Sequence, residues 1–199
     1  MTVDNAEAGA SYFGCAASEA ASGNRLYAAD FGRNGIDVFD ANWNPIAVAG
    51  GFANPCLPAD YYPWNIQYID GSLFVAYAKY SGLPGEELHG KGFGRIAEFD
   101  LDGNLIKNWE DLGLLNAPWG FAVAPADFGD MSGKWLVSDF GDGRVTAFDR
   151  SSKKATGYLL GHNGKPVSVG GICGIWGIVF GNGASLGEHN HLCARSWSR

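Results

Sequence analysis

Basic residues are scarce in this chain of 199 residues: 14 Lys and Arg stand against 21 Asp and Glu, a net charge of -7. A nucleic-acid or anionic-membrane partner needs a contiguous basic face, and the basic stretch 195–199 is too short to provide one. Long apolar runs are missing too. The longest, 170–181, is broken by glycine and falls short of the roughly twenty residues that span a bilayer. Residues 1–10 are acidic and small, with neither a basic start nor an apolar core, so no signal peptide is visible and the chain is expected to be soluble as written. Cysteine is limited to Cys15, Cys56, Cys173 and Cys193, with no C-x-x-C pair, which argues against a zinc ribbon or a thioredoxin-type motif. These four are expected to be buried small hydrophobes, with one unassignable disulfide left open.

What is present is glycine, at 30 residues, and aromatics, at 7 Trp, 8 Tyr and 12 Phe. Many turn formers with many aromatic and β-branched residues imply short strands rather than helices. Those strands repeat. Asp30-Phe31-Gly32 returns as Asp139-Phe140-Gly141, and each is followed at the same offset by Phe-Asp, at Phe39-Asp40 and Phe148-Asp149. Between them Leu73-Phe74-Val75 leads to Phe99-Asp100, through a polar, Gly-rich insertion over 79–92. A second recurring piece comes earlier in each copy: Pro63-Trp64-Asn65-Ile66, Pro118-Trp119-Gly120-Phe121 and Ile175-Trp176-Gly177-Ile178, with a weaker version at Tyr12-Phe13-Gly14. A third follows Phe-Asp, where Asp40, Asn44 and Ile46 match Asp100, Asn104 and Ile106, a tight turn into a further strand.

In the third copy this spacing predicts strands over 119–123, 134–138, 144–148 and 156–160, joined by short Gly/Asp/Asn-rich turns as antiparallel hairpins require. Four-stranded units recurring about every 50 residues are the signature of propeller blades. The expected fold is all-β, a partial β-propeller of four-stranded antiparallel blades. It forms a single domain over 1–199, with blade starts near Tyr12, Trp64, Trp119 and Trp176. The fourth blade is expected to break off after its first strand, leaving 184–199 as an irregular tail. The three tryptophans are expected to pack between blades.

The order Pro-Trp-Gly-apolar-Ala, then Leu26-Tyr27-Ala28-Ala29-Asp30-Phe31, then Phe-Asp, resembles NHL-type β-propeller repeats. Ala124-Pro125-Ala126-Asp127-Phe128-Gly129 and Phe140-Gly141-Asp142-Gly143-Arg144 are similar to a family of secreted propellers known as conserved hypothetical proteins. The likeness runs over 12–183. It implies a six-bladed, TolB-like ring, exported by a signal peptide and so extracellular or periplasmic; it brings no activity and no site residue. Such a ring would need on the order of 300 residues, so the chain is expected to be a fragment or a truncated gene product. Its open blade edges are then expected to promote self-association.

Several chemical readings fail on spacing. Asp-Phe-Gly has no kinase context, Gly90-Lys91-Gly92-Phe93-Gly94 lacks P-loop spacing, and no Gly-x-Ser-x-Gly elbow occurs. Asp100-x-Asp102-Gly103-Asn104 opens like a calcium loop without the distal glutamate, and a hairpin turn accounts for it equally. His189-x-His191-x-Cys193 would put three metal ligands on one face of a strand but reads as fortuitous tail. No metal or other cofactor is therefore assigned, calcium or another divalent ion staying as the variant to test. Candidate ligand-binding residues are those where the copies differ. Asn65 replaces the glycine that follows Trp elsewhere, and Glu86, Glu87 and His89 lie in the insertion. The expected function is a binding or interaction scaffold of extracellular type for an unknown protein or small molecule. The alternative is a propeller lactonase or hydrolase holding a divalent metal in the central channel.

Overall fold

The computed structural model describes residues 3–20, 23–169 and 174–196. They fall into two compact units, the first comprising 1–88 and 95–108 and the second 89–94 and 109–199, where the sequence reading treats 1–199 as one domain.

The first unit holds two antiparallel sheets. One contains β1 (Tyr12–Ala20), β2 (Gly23–Asp30) and β3 (Gly35–Asp40) in that order. The other runs β4 (Tyr61–Ile69), β5 (Ser72–Tyr80), β7 (Gly94–Phe99), β8 (Leu105–Asn108), with the two-residue β6 (Glu87–Leu88) hung on β5. The second unit carries β9 (Pro118–Val123), β10 (Trp135–Asp139), β11 (Val145–Phe148) and β12 (Ala155–Tyr158) as a four-stranded meander. It also carries the pair β13 (Ile175–Phe180) and β14 (Leu192–Ser196). Sequential antiparallel pairing follows from the turns: Asp40 ends β3, Asp100 and Asp149 directly follow β7 and β11, and all three fold their carboxylates back onto the turn. Asp100 Oδ1 accepts from the N–H of Asp102 and of Asn104, both at 2.9 Å, so a hairpin uses the oxygens a calcium loop would need.

Each first strand is bulged where the repeated aromatic sits. The register of β1 shifts between Tyr12 and Gly14, of β4 between Pro63 and Asn65, and of β13 between Ile175 and Ile178. That of β9 on β10 shifts between Val137 and Asp139, opposite Trp119 and Gly120. A bulge inserts a residue and re-aims its side chain, here onto the neighbouring sheet. In the first unit Trp64 meets Phe13 and Phe31 at 4.2 and 4.8 Å between ring centroids. In the second Trp176 meets Trp119 and Phe140 at 5.5 and 4.4 Å. Beneath the aromatics lie two apolar cores, Tyr27, Ile66, Leu73, Val75 and Phe99 in the first unit, Leu136, Val145, Ala147 and Ile175 in the second. Fully burying one such side chain is worth about 2 kcal/mol.

Four expectations need correction. The first sheet has three strands, not four: after β3 the chain makes only the isolated bridge Phe39–Pro45 and then leaves, Gly50 N–H and Phe52 N–H bonding to Asp102 and Gly103 of the neighbouring turn. Pro45 has no N–H with which to extend a ladder. The insertion 79–92 is not plain loop, because Lys79 and Tyr80 complete β5 and pair with Leu88 and Glu87. The stretch 184–199 contains β14, whose Leu192, Cys193 and Ala194 pair with Phe180, Val179 and Ile178. It was missed because exposed strands of small or polar side chains are held by main-chain bonds, which leave no apolar pattern. Finally, Cys15 and Cys56 are exposed and Cys193 half-buried. Cys15 falls on the solvent side of β1, alternating with buried Ala16 and Ser18, and Cys173 lies outside the described residues.

Candidate functional site

Buried polar groups cluster where second strands end and first strands begin. Asp30 closes β2 and is 1% exposed; its Oδ1 accepts from Ser11 N–H at 2.9 Å and Arg33 N–H at 3.1 Å, and its Oδ2 pairs with Arg33 Nε. Asp139 closes β10 and is 0% exposed; its Oδ1 accepts from Asn116 N–H at 2.9 Å and its Oδ2 from Thr146 Oγ1 at 2.7 Å. Each carboxylate thus ties the entry of one strand to the end of the next. Burial pushes the Asp139 carboxyl well above the usual range, against the lowering effect of its two donors. Tyr77 ends the corresponding run in β5, and burial pushes its hydroxyl up as well.

Asn65 lies on β4, 1% exposed. A side chain at Gly14 of β1 would meet Asn65 Oδ1 at 1.8 Å, so the carboxamide lies directly over that glycine's backbone. Its Nδ2 donates to Gln67 Oε1 at 3.4 Å. At the matching place in β9, a Cβ on Gly120 would lie 2.8 Å from both Ser138 Oγ and Trp176 C=O. Position 120 thus has no room for the side chain that position 65 carries. Glu86 is exposed in a turn, with Ser81 N–H donating to its carbonyl at 3.1 Å, and Glu87 is half-buried in β6. His89 is exposed in the second unit, its ring edge-on to Phe140 at 5.5 Å. Asn65, Glu86 and Glu87 belong to one unit and His89 to the other. Among the described residues no group of three His, Cys, Asp or Glu side chains converges as metal ligands would; His189 and His191 are both exposed, outside the paired segment of β14.

A groove of about 570 Å³ runs along β3 in the first unit. Ile36, Asp37, Val38 and Phe39 form one wall, Trp43 to Ile46 one end, and Val3 to Asn5 the other side. Its polar lining is pre-arranged: Asp37 takes Arg33 and the Tyr12 hydroxyl, while Asn5 Nδ2 donates to Tyr12 Oη at 2.8 Å. Burial and the Asp37 carboxylate push the Tyr12 hydroxyl up against the opposing pull of Asn5 and Arg33, and the Asp30 carboxylate holds the Arg33 guanidinium still more firmly charged. Two carboxylates, Asp4 and Asp37, and one guanidinium, Arg33, line the groove, and Arg33 is already paired with Asp37 and the buried Asp30, so the groove carries a small acidic excess at Asp4.

Sequence reasoning missed Trp43. It is 50% exposed and has φ +67, a left-handed conformation unfavourable to a side chain of that size. The copy in the next blade has Gly103 there, at φ +73. The Asp40–Asn44 and Asp100–Asn104 turns align directly, so tryptophan in place of a turn glycine was a readable signal.

Two uncharacterized proteins of Acanthamoeba polyphaga mimivirus are similar to this chain. One is 39% identical over 161 residues, covering 78% of this chain and 40% of the relative. The other is 37% identical over 159 residues, covering 76% of this chain and 41% of the relative. The chain thus spans about two fifths of the length of these relatives. No protein-family profile matches it. Among solved structures, the WD40 beta propeller domain of Doa1 aligns with a TM-score of 0.52 at 12% identity, over 94% of this chain and 48% of that one. That likeness is one of fold, and with the repeated antiparallel sheets it makes the chain a partial β-propeller.

Proposed function

We propose that this chain is a non-enzymatic binding module of a β-propeller scaffold, of the extracellular type that its repeats resemble. The observation that carries the reading is Trp43: a large, half-exposed aromatic held in a strained turn conformation, at the end of an open groove, where the sister turn uses glycine. Strain of about 1–2 kcal/mol at such a position is retained where the exposed side chain has work to do. The buried polar groups support the same reading. Asp30 and Asp139 spend their oxygens on strand ends, and Asn65 fills the space over Gly14.

The test sets binding against turnover. An array of short peptides and sugars is scanned with the purified chain, and a panel of lactones is assayed with and without added calcium or magnesium. Saturable binding without lactone turnover is expected. A stoichiometric divalent ion found by elemental analysis, lost with lactone hydrolysis in Asn65→Ala, would overturn the reading in favour of a propeller hydrolase.

A further inference from the structure

The first sheet is one strand short, and the groove lies where that strand would be. Ile46 N–H donates to Val38 C=O at 2.9 Å, and Asp40 N–H bonds to Asn44 C=O at 3.0 Å. Both main-chain groups of a residue in an antiparallel strand point to the same side, so Val38 and Ile36 present theirs away from β2. Past this bridge the chain diverges. Among the described residues, no backbone group beyond the β2–β3 ladder meets Ile36 N–H, Ile36 C=O or Val38 N–H. In the second sheet the corresponding edge of β7 is covered by β8, with Ala97, Glu98 and Phe99 paired to Asn108, Lys107 and Leu105.

We propose that this edge is a docking site for an extended segment of another protein that carries an arginine or lysine, adding the missing fourth strand in trans. This deepens the binding reading above and rests on it. Main-chain pairing to an exposed edge is a recurring way of holding peptides, with alternate side chains giving specificity. The groove is large enough for a few residues. Its acidic balance and the exposed face of Trp43 at its end together select a cationic side chain, which the aromatic face also attracts. A second copy of this chain is the less suitable occupant, because its net charge of -7 opposes an acidic groove.

The experiment uses fluorescein-labelled peptides of about nine residues, a typical strand length or longer, with alternating Val and Thr and a central Arg. A Glu counterpart and two versions N-methylated on alternate positions complete the set. Binding to the full chain is read by anisotropy. The Arg peptide is expected to bind at least about tenfold more tightly than the Glu peptide. One N-methylation pattern should weaken it by about tenfold, equivalent to two lost main-chain hydrogen bonds, and the other should leave it within about twofold. Trp43→Gly should unfold at the same temperature or higher, yet lose the Arg peptide by about tenfold; Asp4→Asn should weaken it by about two- to threefold, less at high salt. Equal sensitivity to the two N-methylation patterns, or unchanged affinity in Trp43→Gly, would sink the strand-addition inference and leave the general binding reading standing. A dimer seen by sedimentation that Trp43→Gly dissolves would make a second copy the occupant and overturn it as well. If no arrayed probe of any kind binds, both readings fail.

Discussion

Asp30 and Asp139 stand at the same place in their repeats, each followed by Phe-Gly, yet they live in opposite electrostatic settings. The residue three positions on is Arg33 in the first case and Asp142 in the second. Asp30 therefore closes its strand as half of an ion pair with Arg33 and takes two further backbone N–H groups. Asp139 has two neutral donors, an acid at Asp142, and Arg144 turned toward Asp142 at 3.7 Å. The carboxyl responds as burial dictates and holds its proton to higher pH. The same tripeptide thus closes one strand through an ion pair and another through neutral donors alone, with a different residue in the following turn.

Replacing each aspartate by asparagine breaks the comparison most directly. Asp30→Asn leaves the Arg33 guanidinium facing an amide beside a buried site and is expected to destabilise the first unit by about 2–3 kcal/mol. That is below the 3–5 of a fully buried pair, because Arg33 is 36% exposed. Asp139→Asn can still accept from Asn116 N–H and can donate to Thr146, whose hydroxyl rotates, so at neutral pH it should stay within about 1 kcal/mol of the parent. Urea unfolding at pH 7 checks both; equal losses would erase the distinction.

The pH dependence is the next largest effect. Asp139 has a folded-state pKa above its unfolded value of about 3.9, so its contribution is fully present below that pH and is lost as pH rises through the folded value. Unfolding free energy of the parent should therefore fall, relative to Asp139→Asn, from about pH 4 upward. Asp142→Arg sharpens the test by giving the second repeat the cation of the first. It removes a repelling acid and should draw the Asp139 carboxyl down, flattening that slope and gaining about 1 kcal/mol at pH 7. A slope unchanged by Asp142→Arg would mean that burial alone, not the turn residue, sets the difference.

These contrasts also show what could be read from residue order. Recurrence at fixed offsets exposes the strands of the third repeat, because Phe148 and the Trp119 bulge have counterparts in the other copies and Asp139 returns as Asp30, leaving the same letters. β14 left no such trace, since Leu192, Cys193 and Ala194 are held by main-chain bonds to β13. The missing strand of the first sheet was equally hidden, because Asn44 and Ile46 match Asn104 and Ile106 while the chain's departure is set by distant partners, Asp102 and Gly103. Looking for difference among copies singled out Asn65, whose side chain lies against Gly14. The same rule applied to turns would have singled out Trp43 against Gly103.

The smallest effect tests whether strand ends and turns titrate in opposite senses. Asp149 follows β11 and accepts from Ser152 N–H, Ser152 Oγ and Ser151 Oγ, each at 2.8 Å, and from Ser151 N–H at 3.1 Å. These donors favour the ionised form, holding its carboxyl below the usual range. A depressed folded pKa contributes stability above the unfolded value of about 3.9, and that contribution is lost as pH falls through the folded value. The parent should therefore lose stability on acidification relative to Asp149→Ala, and added salt should change little, because the donors are neutral rather than cationic. Asp139→Asn must leave this acid-side loss intact while abolishing the decline at higher pH. Thermal unfolding of the parent and the two variants between about pH 2 and 7 separates the two slopes, which lie on either side of the ordinary carboxylate value. Slopes of one sign from both residues would mean that position in the repeat does not decide how its aspartates carry charge.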